Sequence, residues 1–287
     1  MIKRLKTNFS VLIKYIVSYW SGLSALACVI LTFISWEDIG ISGSFNKILV
    51  LLGIVGLAII FSTTTIYARK EKRIFGDVNK GVSLRYGDLM KFGFPKKSST
   101  ERIVVIPVNR CFDLSCEENL IADNSIHGQW INKFINDQCN VVEIHNKICA
   151  TLNSLQAEHI NLSRNDKPLG YLDRYNPGTV VELKGDKNVT FYLWAVSELD
   201  EELKANCTEM DYYKAIQGLL NYYDSHGQGI AMYCPIAGDR FIRPIRETND
   251  ILHFLLSALK FSKDKIHGQI NIVVYKKMKS DISILEY

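Results

Sequence analysis

Three short segments of this chain set polar and small residues directly after apolar runs. "GVSLRY" leads into Gly87, Asp88 and Leu89. "RIVVIPV" leads into Asn109, Arg110, Cys111, Phe112 and Asp113, with Ser125, His127 and Gly128 opening a helix-like stretch soon after. "GIAMYCP", ending at Pro235, leads into Ala237, Gly238, Asp239, Arg240 and Phe241. A carboxylate can accept from the amino group of a purine, and backbone amides of a glycine-bearing loop with arginines nearby suit a diphosphate. Nucleophilic catalysis would instead need a thiol or hydroxyl beside an activating base. Cys111 and His127 can be paired that way, with Asp113 or His127 as candidates for a hydrolase. No third residue orients the pair, and a cysteine is commonly a small inert hydrophobe. Each cluster also has an ordinary structural reading: Gly-Asp as a turn, Asn109 as a loop cap, His127 as a capping or surface group, Gly238 as a tight turn. Neither GxGxxG nor GxxxxGK[ST] occurs, so dinucleotide-fold and P-loop assignments fail.

The elements that must hold these loops read as alternating strands and helices. Strands are expected at 81–86, 102–108, 229–235 and in "QINIVVY", and a hairpin at 179–196 around a Gly-Asp turn. Helices are expected at Ser125–Ile135, Tyr212–Tyr223 and Pro244–Phe261, the last with Pro244 in its first turn. Near-continuous apolar strands between helices predict an α/β domain whose mixed, largely parallel sheet is covered on both faces. In such sheets ligands bind beyond the carboxyl ends of the strands, where the three loops fall.

Ahead of this domain lie two runs without Asp, Glu, Lys or Arg, Tyr19–Trp36 and Ile48–Ala68. Each approaches the roughly 20 residues a helix needs to cross about 30 Å of hydrocarbon. A cleaved signal peptide does not fit the first run, because Lys14 interrupts the segment and the apolar stretch is too long. Two runs around the short linker "EDIGISGSFNK" predict a transmembrane helical hairpin with spans at about 19–36 and 48–68. Basic residues flank both outer ends (Lys3, Arg4, Lys6, Lys14; Arg69, Lys70, Lys72, Arg73), so both termini are expected in the cytoplasm. Small residues (Ser21/Ala25, Ser24/Cys28, Gly53/Gly56) are spaced for helix–helix contact. The expected organisation is therefore 1–75 for the membrane region and 80–287 for a cytosolic ligand-binding domain.

Charge supports that division. Residues 1–80 carry 10 Lys/Arg against 4 Asp/Glu, although the whole chain is only +4. The basic excess belongs to the membrane end, where anionic lipid is the natural counterpart. The rest has no cationic surplus, which excludes nucleic acid as its main partner. Seven cysteines without a CxxC pair, and six scattered histidines, give no zinc pattern and imply free thiols in a reducing compartment.

The order of "VSLRYGDLM", "IVVIPVN", a Gly-bearing helix start and "PIAGDRFIRP" resembles the macro domain over roughly residues 80–287. The resemblance implies a three-layer macro-like fold that recognises ADP-ribose derivatives. Asp88 would accept from the adenine amine, Asn109 would lie near the distal ribose, the amides of Ala237–Arg240 near the diphosphate, and Phe241 near a ribose. Phe112 or Asp113 falls where the family's second asparagine would lie, and the third loop has one glycine where two are usual. Two spans joined to such a domain, with "IPVNRCFD" and "SIHGQW", look like the membrane-anchored macro-domain effectors of bacterial Thoeris anti-phage defence. That resemblance implies a non-catalytic sensor without a resident cofactor, fed by a partner TIR-domain enzyme. The signal would be a nucleotide-derived second messenger, histidine-conjugated ADP-ribose. Arg110 or Arg174 would meet its carboxylate, and Asp113 or Asp173 its amine. The effector would lie in the inner membrane, assemble as a homo-oligomer and damage the bilayer, causing abortive infection. The alternative is a membrane-anchored ADP-ribose-processing hydrolase.

Overall fold

The computed structural model describes residues 2–97, 100–138, 141–238 and 247–287. They form two compact units, Met1–Lys72 with Lys277–Tyr287, and Arg73–Lys276.

In the first unit a short helix α1 (Ile2–Thr7) precedes two long ones, α2 (Phe9–Phe33) and α3 (Ser44–Ala68). At 25 residues each, both are long enough to cross about 30 Å of hydrocarbon. Trp20, Leu26, Val29, Phe33, Leu52 and Ile60 are all exposed. Such helices are not the core of a soluble fold; their apolar side chains face outward around most of the circumference. Between the helices, the Tyr19 and Thr65 hydroxyls are 2.8 Å apart, and Ala58, Ser62 and Ile66 are fully buried at four-residue spacing. Gly53 and Gly56 have nothing among the described residues within 4 Å of an added Cβ, so that side of the helix is open. The last residues of the chain, expected with the sheet, pack against this helical unit.

The second unit is a three-layer α/β domain. Its strands and helices, in chain order, are β1 (Glu71–Gly76), β2 (Gly81–Gly87), α4 (Leu89–Gly93), β3 (Arg102–Asn109), α5 (Ile126–Gln138), α6 (Val141–Ser154), β4 (His159–Asn161), β5 (Asp173–Tyr175), β6 (Val180–Lys184), β7 (Val189–Leu199), β8 (Ala205–Asn206), α7 (Glu209–His226), β9 (Met232–Pro235), α8 (Thr248–Phe261) and β10 (Gln269–Tyr275). The main sheet runs β1-β2-β10-β9-β3-β7-β6, with β8 on the end of β7. From β2 to β7 all neighbours are parallel, while β6 and β8 are antiparallel to β7. Strands 4 and 5 form a separate ribbon.

Alternation along the strands explains the layers. Val104, Ile106, Val108, Phe191, Leu193 and Ala195 face one way and join Trp130 and Phe134 of α5 and Ile144, Ile148 and Leu152 of α6 in one core. Trp130 is fully buried, stacks on Phe134 at 4.9 Å and meets Phe191 edge-on. Tyr192 and Trp194 face the other way: Trp194 Nε1 donates to Ala215 O of α7 at 2.8 Å, and Tyr212 of α7 meets Phe254 of α8. The expected helix at 244–261 begins in the described residues at Thr248; Pro244 lies outside them. After α3, residues 71–76 form β1, and Asp77 Oδ1 closes the turn that follows by accepting from the Asn79 and Lys80 amides.

Candidate functional site

The sheet brings the loops after β2, β9 and β3 to one edge. Tyr275 at the end of β10 lies beside Gly87, and Val273 lies beside Pro235. Strand β9 pairs with β3 only at Ile103↔Met232 and Val104↔Tyr233, whereas the β3–β7 ladder continues to Asn109. The sheet therefore parts between β9 and β3 toward their carboxyl ends. After β3 the chain goes to α5 and α6 on one face; after β9 it goes to α8 on the other. This is a topological switch point, where an open α/β sheet forms its ligand crevice.

On the first side of the crevice, Asp88 is the N-cap of α4, its Oδ1 accepting from the Met90 amide at 3.1 Å. It is half-buried, while Leu89 and Met90 are buried. A side chain at Gly87 would crowd the Phe92 ring and Val273, its Cβ lying 2.9 and 3.1 Å from them. Phe92 stacks on Tyr233 of β9 at 4.4 Å, and the Arg85 guanidinium lies over that pair. On the β9 side, Pro235, Ala237 and Gly238 are buried. Gly238 has φ +114°, a conformation that only glycine adopts without strain. Asp239, Arg240, Phe241 and Arg243 lie outside the described residues.

The polar groups of the second loop are bonded mainly to one another. A register shift between Val108 and Asn109 re-aims the strand end. Asn109 then turns inward: Oδ1 accepts from the Cys111 and Asp113 amides at 3.1 and 3.3 Å, and Nδ2 donates to Asp113 Oδ2 at 2.9 Å. Phe112 takes φ +54°, a strained position for an aromatic residue, held by its burial and an edge contact with Tyr175. Asp113 is the hub. Its Oδ1 accepts from the Tyr171 amide at 2.7 Å, and Oδ2 accepts from Lys167 Nζ, also at 2.7 Å. Lys167 donates again to Tyr171 O at 2.6 Å. The side chains of this ion pair are 0% and 1% exposed, so each charge is buried against the other. Gly170 closes the arrangement with φ +79°; a Cβ there would meet Asp113 Oδ1 at 2.2 Å. The carboxylate of Asp113 is thus spent on shaping the loop.

Ser125, His127 and Gly128 serve the start of α5. Ser125 Oγ accepts from the Gly128 amide at 2.9 Å, an N-cap bond, and Gly128 passes so close to Ala122 that a Cβ would lie 2.3 Å from its carbonyl oxygen. His127 is buried, its ring bonded to the Asp113 backbone; Nε2 has no partner among the described residues. Burial pushes its pKa down to about 3, while burial raises the Cys111 thiol to about 11. These shifts are opposite to those a thiolate–imidazolium pair requires. The two arginines considered for a ligand carboxylate share one counter-ion: Arg110 and Arg174 reach Glu198 at 3.3 and 2.8 Å. Asp173 accepts from Asn161 at 2.8 Å. The described cysteines are free, and no His/Cys/Asp/Glu group suited to a metal occurs among the described residues.

Lys167 escaped the sequence reading. It sits in "NDKPLG", which has the composition of a surface turn, and its partner is 54 residues away; nothing local marks it.

A three-layer α/β domain with its crevice at a β3/β9 switch point, linked to a pair of apolar helices, defines a macro-type ligand-binding protein with two candidate membrane spans. The family model for the macro domain of Thoeris protein ThsA matches residues 82–275, from β2 to β10. The chain belongs to that family. It is 26% identical over 253 residues to the Thoeris protein ThsA of Bacillus amyloliquefaciens (strain Y2), covering 85% of this chain and 79% of the relative.

Proposed function

We infer that this protein is an anti-phage effector whose macro domain binds an ADP-ribose-derived signal and whose helical hairpin delivers the response in the membrane. The observation that carries this reading is the parting of the sheet between β9 and β3, flanked by the Asp88 and Pro235–Gly238 loops. Among the described residues Asp88 uses only Oδ1 for its capping bond, leaving the other carboxylate oxygen to accept from the adenine amine. The Ala237–Arg240 segment supplies amides to the diphosphate, and Phe241 packs on a ribose. Asn109 acts through the loop it shapes, setting the wall beside the distal ribose together with Cys111, Phe112 and Asp113.

The signal is histidine-conjugated ADP-ribose released by a partner TIR-domain enzyme. The protein senses it without turning it over: an imidazole kept neutral by burial and a thiol held in its protonated form support binding rather than nucleophilic chemistry. The exposed apolar surfaces of α2 and α3 support residence in the inner membrane, with both termini and the macro domain in the cytoplasm. Their open Gly53/Gly56 face suits contact with a second copy. Ligand binding drives the chains into an assembly that damages the bilayer and aborts the infection. Moving such an equilibrium from 1:99 to 99:1 takes about 5.5 kcal/mol of differential binding, within reach of a buried diphosphate nucleotide. Full-length protein in liposomes tests this: dye release on adding histidine-conjugated ADP-ribose, with the ligand recovered intact, is expected. Release of free histidine or ribose phosphate would instead identify a hydrolase.

A further inference from the structure

Beyond β10 the chain leaves the sheet and joins the helices. A single 3-10 turn, Lys276–Ser280, leads to residues 281–287, of which Ile282, Ser283, Ile284 and Leu285 are buried, Ile284 completely. Their polar groups meet both feet of the hairpin. Thr7 Oγ1 donates to Ser280 O at 2.5 Å, and Lys3 pairs with Asp281 at 2.5 Å. Ser283 Oγ donates at 2.5 Å to Oδ1 of Asn8, the residue that begins α2 and is itself 1% exposed. Lys72, four residues beyond α3, donates to Leu285 O at 2.7 Å. A buried amide–hydroxyl contact among apolar side chains fixes one docking register, because any slip leaves both groups unpaired.

The other end of this segment starts at the ligand edge. Strand β10 lies between β2 and β9, with Tyr275 beside Gly87 and Val273 beside Pro235. Its last residues are therefore flanked by the strand ends that carry Asp88 and Gly238. One residue, Lys276, separates β10 from the docked segment. The only other crossing between the units, at Lys72–Arg73, enters β1, the outermost strand.

We propose that residues 277–287 are a transmission strut that carries the state of the ligand crevice from β10 to the feet of the hairpin. This rests on the sensor reading above. A ligand drawing the Asp88 and Gly238 loops together acts on the end of β10 first, and the docked tail converts that into a force on α2 and α3. Without docking, the hairpin hangs from β1 alone and the ligand domain is uncoupled from it.

The test uses the full chain in dye-loaded liposomes with histidine-conjugated ADP-ribose. Two variants undock the tail: Ile284→Asp, and truncation after Lys276. Both are expected to bind the ligand at least as tightly as wild type by titration, since uncoupling removes the work of moving the hairpin, and to lose ligand-triggered release by roughly 5–150-fold, the span of ordinary coupling between sites. Joining tail to foot in Asn8→Cys/Ser283→Cys, closed as a disulfide, is expected to preserve the response, which guards against misfolding of the undocked variants. Wild-type release from either undocked variant overturns the proposal, as does release without ligand, which would make the tail a latch. A closed disulfide that abolishes the response also overturns it. A wild-type chain that neither binds nor releases dye removes the sensor reading and the strut with it.

Discussion

The buried ion pair beneath the second loop offers the most quantitative perturbation. Replacing Lys167 by Met keeps the volume of the stem but leaves the Asp113 carboxylate, 1% exposed, without its counter-ion. Two neutral donors remain, the Tyr171 amide at 2.7 Å and Asn109 Nδ2 at 2.9 Å, and Tyr171 O loses its bond from Lys167. Breaking one side of a buried pair costs about 3–5 kcal/mol. Because two donors still serve the carboxylate, the lower part of that range, about 3 kcal/mol, is expected. For a unit of this size that corresponds to a fall in melting temperature of roughly 6–12 °C, measured on full-length protein in detergent. The double variant Asp113→Asn/Lys167→Met should recover part of the loss, since no net charge stays buried. Lys167→Met should also weaken ligand binding, because Asn109, Asp113 and Tyr171 are held in one network. A loss below about 1 kcal/mol would match an exposed pair and refute the claim that this contact organises the loop.

Other consequences are as direct. His127 has a folded pKa of about 3 against an ordinary 6.5, so the unfolded chain takes up the proton first as pH falls. Its contribution is complete above about pH 6.5 and declines toward pH 3 by at most about 1.4 kcal/mol per unit. Urea midpoints at pH 7.5 and 5 should therefore differ more for wild type than for His127→Phe. Gly170→Ala places a methyl on Asp113 Oδ1 at a positive φ and should destabilise by about 1–3 kcal/mol or more in the same unfolding assay. Cys111, buried with its thiol raised to about 11, should resist maleimide at pH 7.5 in the folded chain, and Cys111→Ser, whatever its affinity, should return the conjugate as unaltered as wild type does, since no thiolate chemistry is used.

Local patterns gave away most of the scaffold. Ile103–Ile106 form an unbroken apolar run that marks a strand buried on both faces, the "KGDKN" turn joins two strands of strong β character, and Tyr212–Tyr223 keeps helical spacing through Ala215, Ile216 and Leu219. Helix α6 was not read, although Ile144, Ile148 and Leu152 share one face, because it follows α5 almost without a breaker. The strand ends that lead into the three loops gather at one sheet edge, as the rule for parallel strands implies. Their internal wiring was not legible. Asn109 and Asp113 are polar residues at a strand end, and sequence cannot tell whether such groups face a ligand or, as here, each other and a lysine 54 residues away. The tail was missed for a similar reason: "DISILEY" is too short to show a period, and its apolar residues acquire meaning only against Asn8 and Lys72 at the opposite end of the chain.

On the reading proposed above, the β3/β9 crevice binds a conjugated ADP-ribose and leaves it intact. Its most direct test is calorimetric titration of the full-length protein in detergent with histidine-conjugated ADP-ribose, and with ADP-ribose and NAD in parallel. The full chain is needed because a fragment lacking the hairpin would expose Ile282, Ile284 and Leu285. Selective binding of the conjugate, recovery of unaltered ligand, and loss of affinity when Asp88, Asn109 and Gly238 are substituted together are expected. Unchanged affinity in that triple variant, or no binding of any of the three nucleotides by the wild type, would contradict that reading.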